Sequence, residues 1–221
     1  MRRSCFALMA LAMAAACPAL AENQIWTAAG TKAKPFENKA ISLSFDADLR
    51  YEPDGELNTI ELRPGIGYRL NDRLKISGGY LWASLRRDGP DRQEHRLWQQ
   101  LSYDFAEVYG FEVDGRTRLE ERRREGSDDT GWRLRQKFGV ERPLDGTPFE
   151  ISLSTDLFFE LNDTDWGQAD GFSEARSQLL LGWDMTGKVS WEIGYMHQFE
   201  NESGAPDETN HHLVISVSHD F

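Results

Sequence analysis

Cysteine is almost missing from this chain: Cys5 and Cys17 are the two among 221 residues. Both fall in a segment with the anatomy of a secretory signal. Arg2 and Arg3 form a positive start, Phe6 to Ala16 an apolar stretch, and Ala19-Leu20-Ala21 an A-x-A cleavage site. Cleavage after residue 21 is expected, and it excludes thiols, disulfides and thiolate-bound metals from the remaining 200 residues. That length suits a single domain. A second lack is any later run near 18 consecutive apolar residues, which excludes a spanning helix; a structure that crosses a membrane must then be a barrel. Basic charge is also short, with 25 Lys and Arg against 37 Asp and Glu for a net charge of −12, falling to −14 without Arg2 and Arg3. Such a surface excludes nucleic acid as an expected partner. No G-x-S-x-G or calcium-loop spacing occurs. The adjacent His211 and His212 would point to opposite faces of a strand, so no metal or other cofactor is expected.

What the chain does have is period-2 alternation, carried to its last residue. His219, Val217, Ile215 and Leu213 share a face with Phe221, against Asp220, Ser218, Ser216 and Val214. Nine earlier segments repeat the pattern: Ile41–Tyr51, Ile60–Leu70, Leu74–Leu85, Arg96–Phe105, Phe111–Glu120, Trp132–Glu141, Phe149–Glu160, Glu174–Met185 and Val189–Phe199. Tight turns are expected at Asn71–Arg73, Ala106–Val108, Leu144–Thr147 and Thr186–Lys188. Longer polar loops are expected at Arg87–Glu94, Arg123–Thr130, Asn162–Phe172 and Glu200–Thr209. Short turns on one side and long loops on the other are the asymmetry of outer-membrane barrels.

The alternation alone does not say which face points outward. Two groups of aromatics on the apolar parity favour lipid: Tyr68, Tyr103, Phe149, Trp183, Trp191 and Phe221 toward one end, and Tyr51, Tyr80, Trp82, Trp132 and Phe159 toward the other. The expectation is an all-β protein, a single antiparallel transmembrane β-barrel of outer-membrane type with about ten strands (alternatives eight or twelve). Residues 40–221 form the barrel, and residues 22–39 form an arm, a plug or an extra strand. Expected partners are outer-membrane lipid and lipopolysaccharide, and the barrel-assembly machinery through the strand ending at Phe221. A soluble periplasmic ligand-binding barrel is the alternative that would turn the apolar face inward.

The strings His95-Arg96-Leu97-Trp98-Gln99-Gln100, Arg116-Thr117-Arg118-Leu119-Glu120-Glu121-Arg122 and Trp132-Arg133-Leu134-Arg135 ahead of Pro143-Leu144, with the early Ile25-Trp26-Thr27, resemble a bacterial family catalogued as domain of unknown function 2490. The resemblance implies an outer-membrane barrel of unassigned activity over essentially the whole mature chain, and it carries no catalytic residues.

On the polar parity, Arg116, Arg118, Glu120, Arg133, Arg135 and Lys137 would stack on neighbouring strands, with Glu150 and Asp156 as counter-charges across a narrow lumen. They would form either a filling ion-pair network or a basic constriction selecting anions. A lipid hydrolase at the outer rim is the enzymatic alternative. It would need His197 beside His211 and a nucleophile such as Ser173, with Ser84 and Ser203 as further candidates. A non-enzymatic role is favoured. Gln99 and Gln136 fall on the apolar parity, where the pattern offers no account of them.

Overall fold

The computed structural model describes residues 24–35, 40–86, 91–201, 204 and 206–221. The expected signal segment, Ser203 and parts of two expected loops lie outside them. Eleven strands form among the described residues: β1 Ile25–Ala33, β2 Ile41–Tyr51, β3 Leu57–Arg69, β4 Leu74–Leu85, β5 Arg92–Val108, β6 Phe111–Arg124, β7 Thr130–Pro143, β8 Phe149–Glu160, β9 Gly171–Asp184, β10 Val189–Glu200 and β11 Glu208–Asp220. Each strand pairs antiparallel with the next, and β1 closes the barrel against β11.

Ile25–Ala33 therefore forms an extra strand in the wall. An odd strand number cannot close with every pair antiparallel, so β1 lies parallel to β11, with Ile25 opposite Leu213 and Lys32 opposite Asp220. Past Ile25, its outward residues Thr27, Ala29 and Thr31 are small. The two threonines donate to the carbonyls of Leu49 and His219 instead of offering apolar bulk. This is why alternation did not reveal the strand.

One end of the barrel carries the short connections and Phe221, whose backbone N–H donates to Lys32 O; it is called the turn end here, and the opposite one the loop end. Asn71 closes a turn by accepting from the N–H groups of Arg73 and Leu74. The turn expected at Ala106–Val108 forms instead at Tyr109–Gly110, because both residues hold positive φ (55° and 77°), as a type I′ hairpin requires. The ladder runs up to it through Val108↔Phe111, absorbing a bulge between Asp104 and Ala106.

Strands at the loop end are longer than the alternation indicated. Arg92–Glu94 and Arg123–Arg124 were expected in loops, yet Glu94 pairs with Arg124 and His95 with Arg123. Beyond the apolar belt the outward residues are polar, so the pattern fades while the hydrogen-bond ladder continues.

Polarity is inverted relative to a soluble barrel. Leu97, Ile66, Leu153, Phe138 and Phe45 are exposed on the outside, whereas Glu61, Glu94, Glu120, Arg118, Arg122 and Arg133 are buried within. A soluble barrel with an inward apolar face needs the opposite arrangement. Aromatics ring the turn end, where Trp183 stacks on Trp191 and meets Phe149 edge-on. Gln136 finds its partners on this outer face. Its amide donates to Tyr103 Oη at 2.6 Å and accepts from Thr117 Oγ1 at 2.6 Å, so a polar residue on the lipid parity is internally satisfied. Gln99 is exposed on the same face.

Candidate functional site

Register builds the centre of the lumen. Even residues of β6 and odd residues of β7 face inward, and the pairings Arg118↔Arg135 and Glu120↔Arg133 set their charges side by side. Glu120, 1% exposed, accepts from Arg133 at 2.6 Å and Arg135 at 3.2 Å, with Arg118 at 3.6 Å. Nearer the loop end Glu94, also 1% exposed, holds Arg96, Arg122 and Arg124 at 2.6, 2.7 and 2.9 Å. Asp156 on β8 bridges Arg116 and Arg135 at 2.5 and 2.6 Å. Glu160 takes Arg122 at 3.0 Å, and Glu61 on β3 takes Arg50 at 3.1 Å. Several carboxylates thus serve two or three guanidiniums each. Buried charge is tolerable only when paired and hydrogen-bonded in this way.

Three aromatics share the lumen parity and act as platforms for these cations. Phe158, 1% exposed, lies under the guanidiniums of Arg135, Arg176 and Arg133 at 4.4, 4.6 and 5.2 Å from its centroid. Trp98 lies across a wall thinned by Gly65 and Gly79, where a Cβ on Gly79 would come within 2.8 Å of the indole. Arg118 stacks over it at 4.8 Å. Trp26 on β1 carries Arg50 at 3.9 Å and Arg176 at 4.8 Å. Each pairing adds cation–π attraction to a charge that burial has stripped of water.

The network does not fill the bore. A cavity of about 410 Å³ reaches from Arg124 and Glu200 at the loop end to Lys137 and Glu192 farther down. Guanidinium and ammonium groups outnumber carboxylates along it. The surplus is clearest where Arg116 and Lys137 meet in register: Asp156 is already shared by two arginines, and Lys137 makes no ion pair among the described residues. A second cavity of about 560 Å³ opens at the loop end beneath the 161–170 connection, whose Trp166 packs at 5.3 Å from the Arg124 guanidinium.

A family model described as "Protein of unknown function (DUF2490)" matches residues 23–210. The chain belongs to this family. An uncharacterized protein of Methylorubrum extorquens is 34% identical over 166 residues, 73% of this chain and 72% of the relative. Among solved structures, a NanC porin in a rhombohedral crystal form is similar in fold, with a TM-score of 0.52 and 14% identity over 90% of this chain and 99% of the porin chain. At that identity the likeness establishes the fold, an outer-membrane-type barrel.

In this DUF2490 member, the lumen candidates Arg116, Arg118, Glu120, Arg133, Arg135 and Asp156 come together, and Lys137 joins them through its cross-strand neighbours Arg116 and Asp156. Glu150 does not join. It sits low on β8, where its carboxylate reaches within 2.8 Å of the Cβ position of Gly182, in a group of acids with Glu112, Glu141 and Glu192. The rim candidates do not assemble. His197 and His211 are cross-strand partners with rings 5.5 Å apart on the outer face, and His211 is hydrogen-bonded to Tyr195. Ser173, at a bulge in β9, instead turns toward Phe158 O and Glu160 at 3.4 and 3.5 Å, at the lumen mouth. The barrel wall separates the hydroxyl from both imidazoles.

Glu94, Glu61, Phe158 and Trp98 are the site residues that sequence reasoning does not reach. The alternation places Glu94 in a loop. The aromatics are out of phase with a lumen parity that is otherwise polar. A guanidinium-rich strand facing an out-of-phase aromatic, as β7 faces Phe158 through Arg135↔Phe158, is the signal that could have found the platform.

Proposed function

We propose that this protein is an integral outer-membrane barrel whose lumen is a narrow passage preferring small anions, narrowed by its own ion pairs. The observation that carries this reading is the cationic surplus at Arg116, Arg135 and Lys137, which line the cavity beside Asp156, with Arg118 and Glu120 bonded into the same network next to it. Rings of Arg and Lys at a constriction lower the barrier for anions and raise it for cations. The outward apolar belt supports a lipid environment. A cleaved signal at residues 1–21, contacts with lipopolysaccharide at the rim, and recognition of the terminal Phe221 strand by assembly machinery belong to the same reading.

Proteoliposomes test it. Loaded with a chloride-quenched dye and given valinomycin to carry the balancing potassium, vesicles containing the barrel should quench on chloride addition. Vesicles loaded with a potassium indicator and lacking valinomycin should stay silent. Potassium entry matching chloride entry, or quenching no faster than in empty vesicles, would remove the proposal.

A further inference from the structure

The lumen has one wall that its charges do not explain. Leu180 on β9, Gly194 on β10, Val214 on β11 and Trp26 on β1 form a single register row, each facing inward. A Cβ on Gly194 would collide with Leu179 O and stand 2.8 Å from Leu180 Cα. Only glycine fits there, so the row carries no side chain between Leu180 and Val214. Leu180, Val214 and Met196 pack together with Trp26 against them, and Leu180, Val214 and Trp26 also line the 410 Å³ cavity. The other apolar lumen cluster, Leu81, Ala83 and Trp98, differs: none of its three members borders that cavity. What this wall shows the cavity is the edge of Leu180 (8% exposed) and Val214 (9% exposed) beside a Trp26 ring that carries Arg50 and Arg176, and that apolar edge gains when apolar matter covers it.

The same cavity is lined on its opposite side by Arg116 and Lys137, with Ser154 and Gln178, a cross-strand pair, between the two surfaces. Among the described cations that line the cavity, Lys137 alone makes no ion pair; the carboxylates facing it are Asp114, Asp156 and Glu192, and Asp156 is already shared by Arg116 and Arg135. The volume lies within the range of roughly 300–1,000 Å³ in which small-ligand pockets fall.

We propose that this cavity is a binding site for a small amphipathic organic monoanion, an aryl or branched-alkyl carboxylate. Its apolar body lies in the trough of Leu180, Gly194, Val214 and Trp26, and its carboxylate meets Arg116 and Lys137. This names a substrate class for the anion-preferring passage and rests on that reading.

Isothermal titration of the purified full-length barrel in micelles, with empty micelles as reference, provides the test. The probes are phenylacetate, acetate and phenethylamine. Phenylacetate should bind saturably, acetate at least about tenfold more weakly, and phenethylamine not at all. Lys137→Gln and Val214→Asn should each weaken phenylacetate by about tenfold or more, with folding checked by heat-modifiable gel migration and Leu180→Thr standing in if Val214→Asn does not fold. Equal binding of acetate and phenylacetate, binding of phenethylamine, no saturable binding, or binding unmoved by the charge and trough variants would each overturn the proposal. Chloride flux is read separately. Phenylacetate binding without flux would refute the passage alone, and flux without phenylacetate binding would refute the site alone.

Discussion

The wall from β5 to β8 and the wall from β9 through β11 to β1 enclose one lumen and are built on opposite principles. The first is saturated with charge: Glu94 and Glu120 each gather three guanidiniums, and Phe158 supports the cations from beneath. The second carries fewer charges, with Leu180, Gly194 and Val214 in a row beside Met196 and Trp26. A small barrel can thus be narrowed without being sealed. The charged wall supplies rigidity and sign, while the second wall leaves the space that a solute would use.

Breaking the charged wall should have the largest effect. Glu120→Gln leaves Arg133, Arg135 and Arg118 without their shared carboxylate in a buried setting, and should lower stability by about 3–5 kcal/mol in urea unfolding from lipid vesicles. On the second wall, Gly194→Val forces a side chain into the Leu179 backbone. It should cost about 1–3 kcal/mol by the same measurement and weaken phenylacetate binding by displacing Leu180.

How far the two walls were legible in the sequence follows from the same contrast. The bounds of β2, β4 and β8 coincide with the alternating segments Ile41–Tyr51, Leu74–Leu85 and Phe149–Glu160, because their outward residues meet lipid-facing height along most of their length. β1 escaped because Thr27, Ala29 and Thr31 bear little apolar bulk, and with it went Trp26 and the parallel closure. The charged wall was visible as a cluster of Arg and Glu on one parity. Its partners Glu94 and Glu61 needed the register between distant strands. The trough needed it as well: Leu180, Val214 and Trp26 lie in three separate segments and become neighbours only when β10 and β11 pair around Gly194.

A smaller effect on stability, but a sharp one on sign, is expected at the junction of the walls. Arg135 is held by Glu120 and Asp156, so reversing its charge would disturb folding as well as selectivity. Lys137 has no such pair among the described residues. Lys137→Glu should therefore leave stability within about 1 kcal/mol and still shift ion preference toward cations, read as the permeability ratio in planar bilayers. Smallest of all is His197→Ala. It lies outside both walls, beside His211, and should change stability by no more than about 0.5 kcal/mol and leave chloride flux unaltered.

The sign of the lumen is the centre of this account, and one measurement reads it directly: the reversal potential of the purified barrel in a planar bilayer under a potassium chloride gradient. A value displaced toward the chloride equilibrium potential is expected, displaced back by Lys137→Glu. A wild-type value on the potassium side, or one that Lys137→Glu leaves in place, would contradict it.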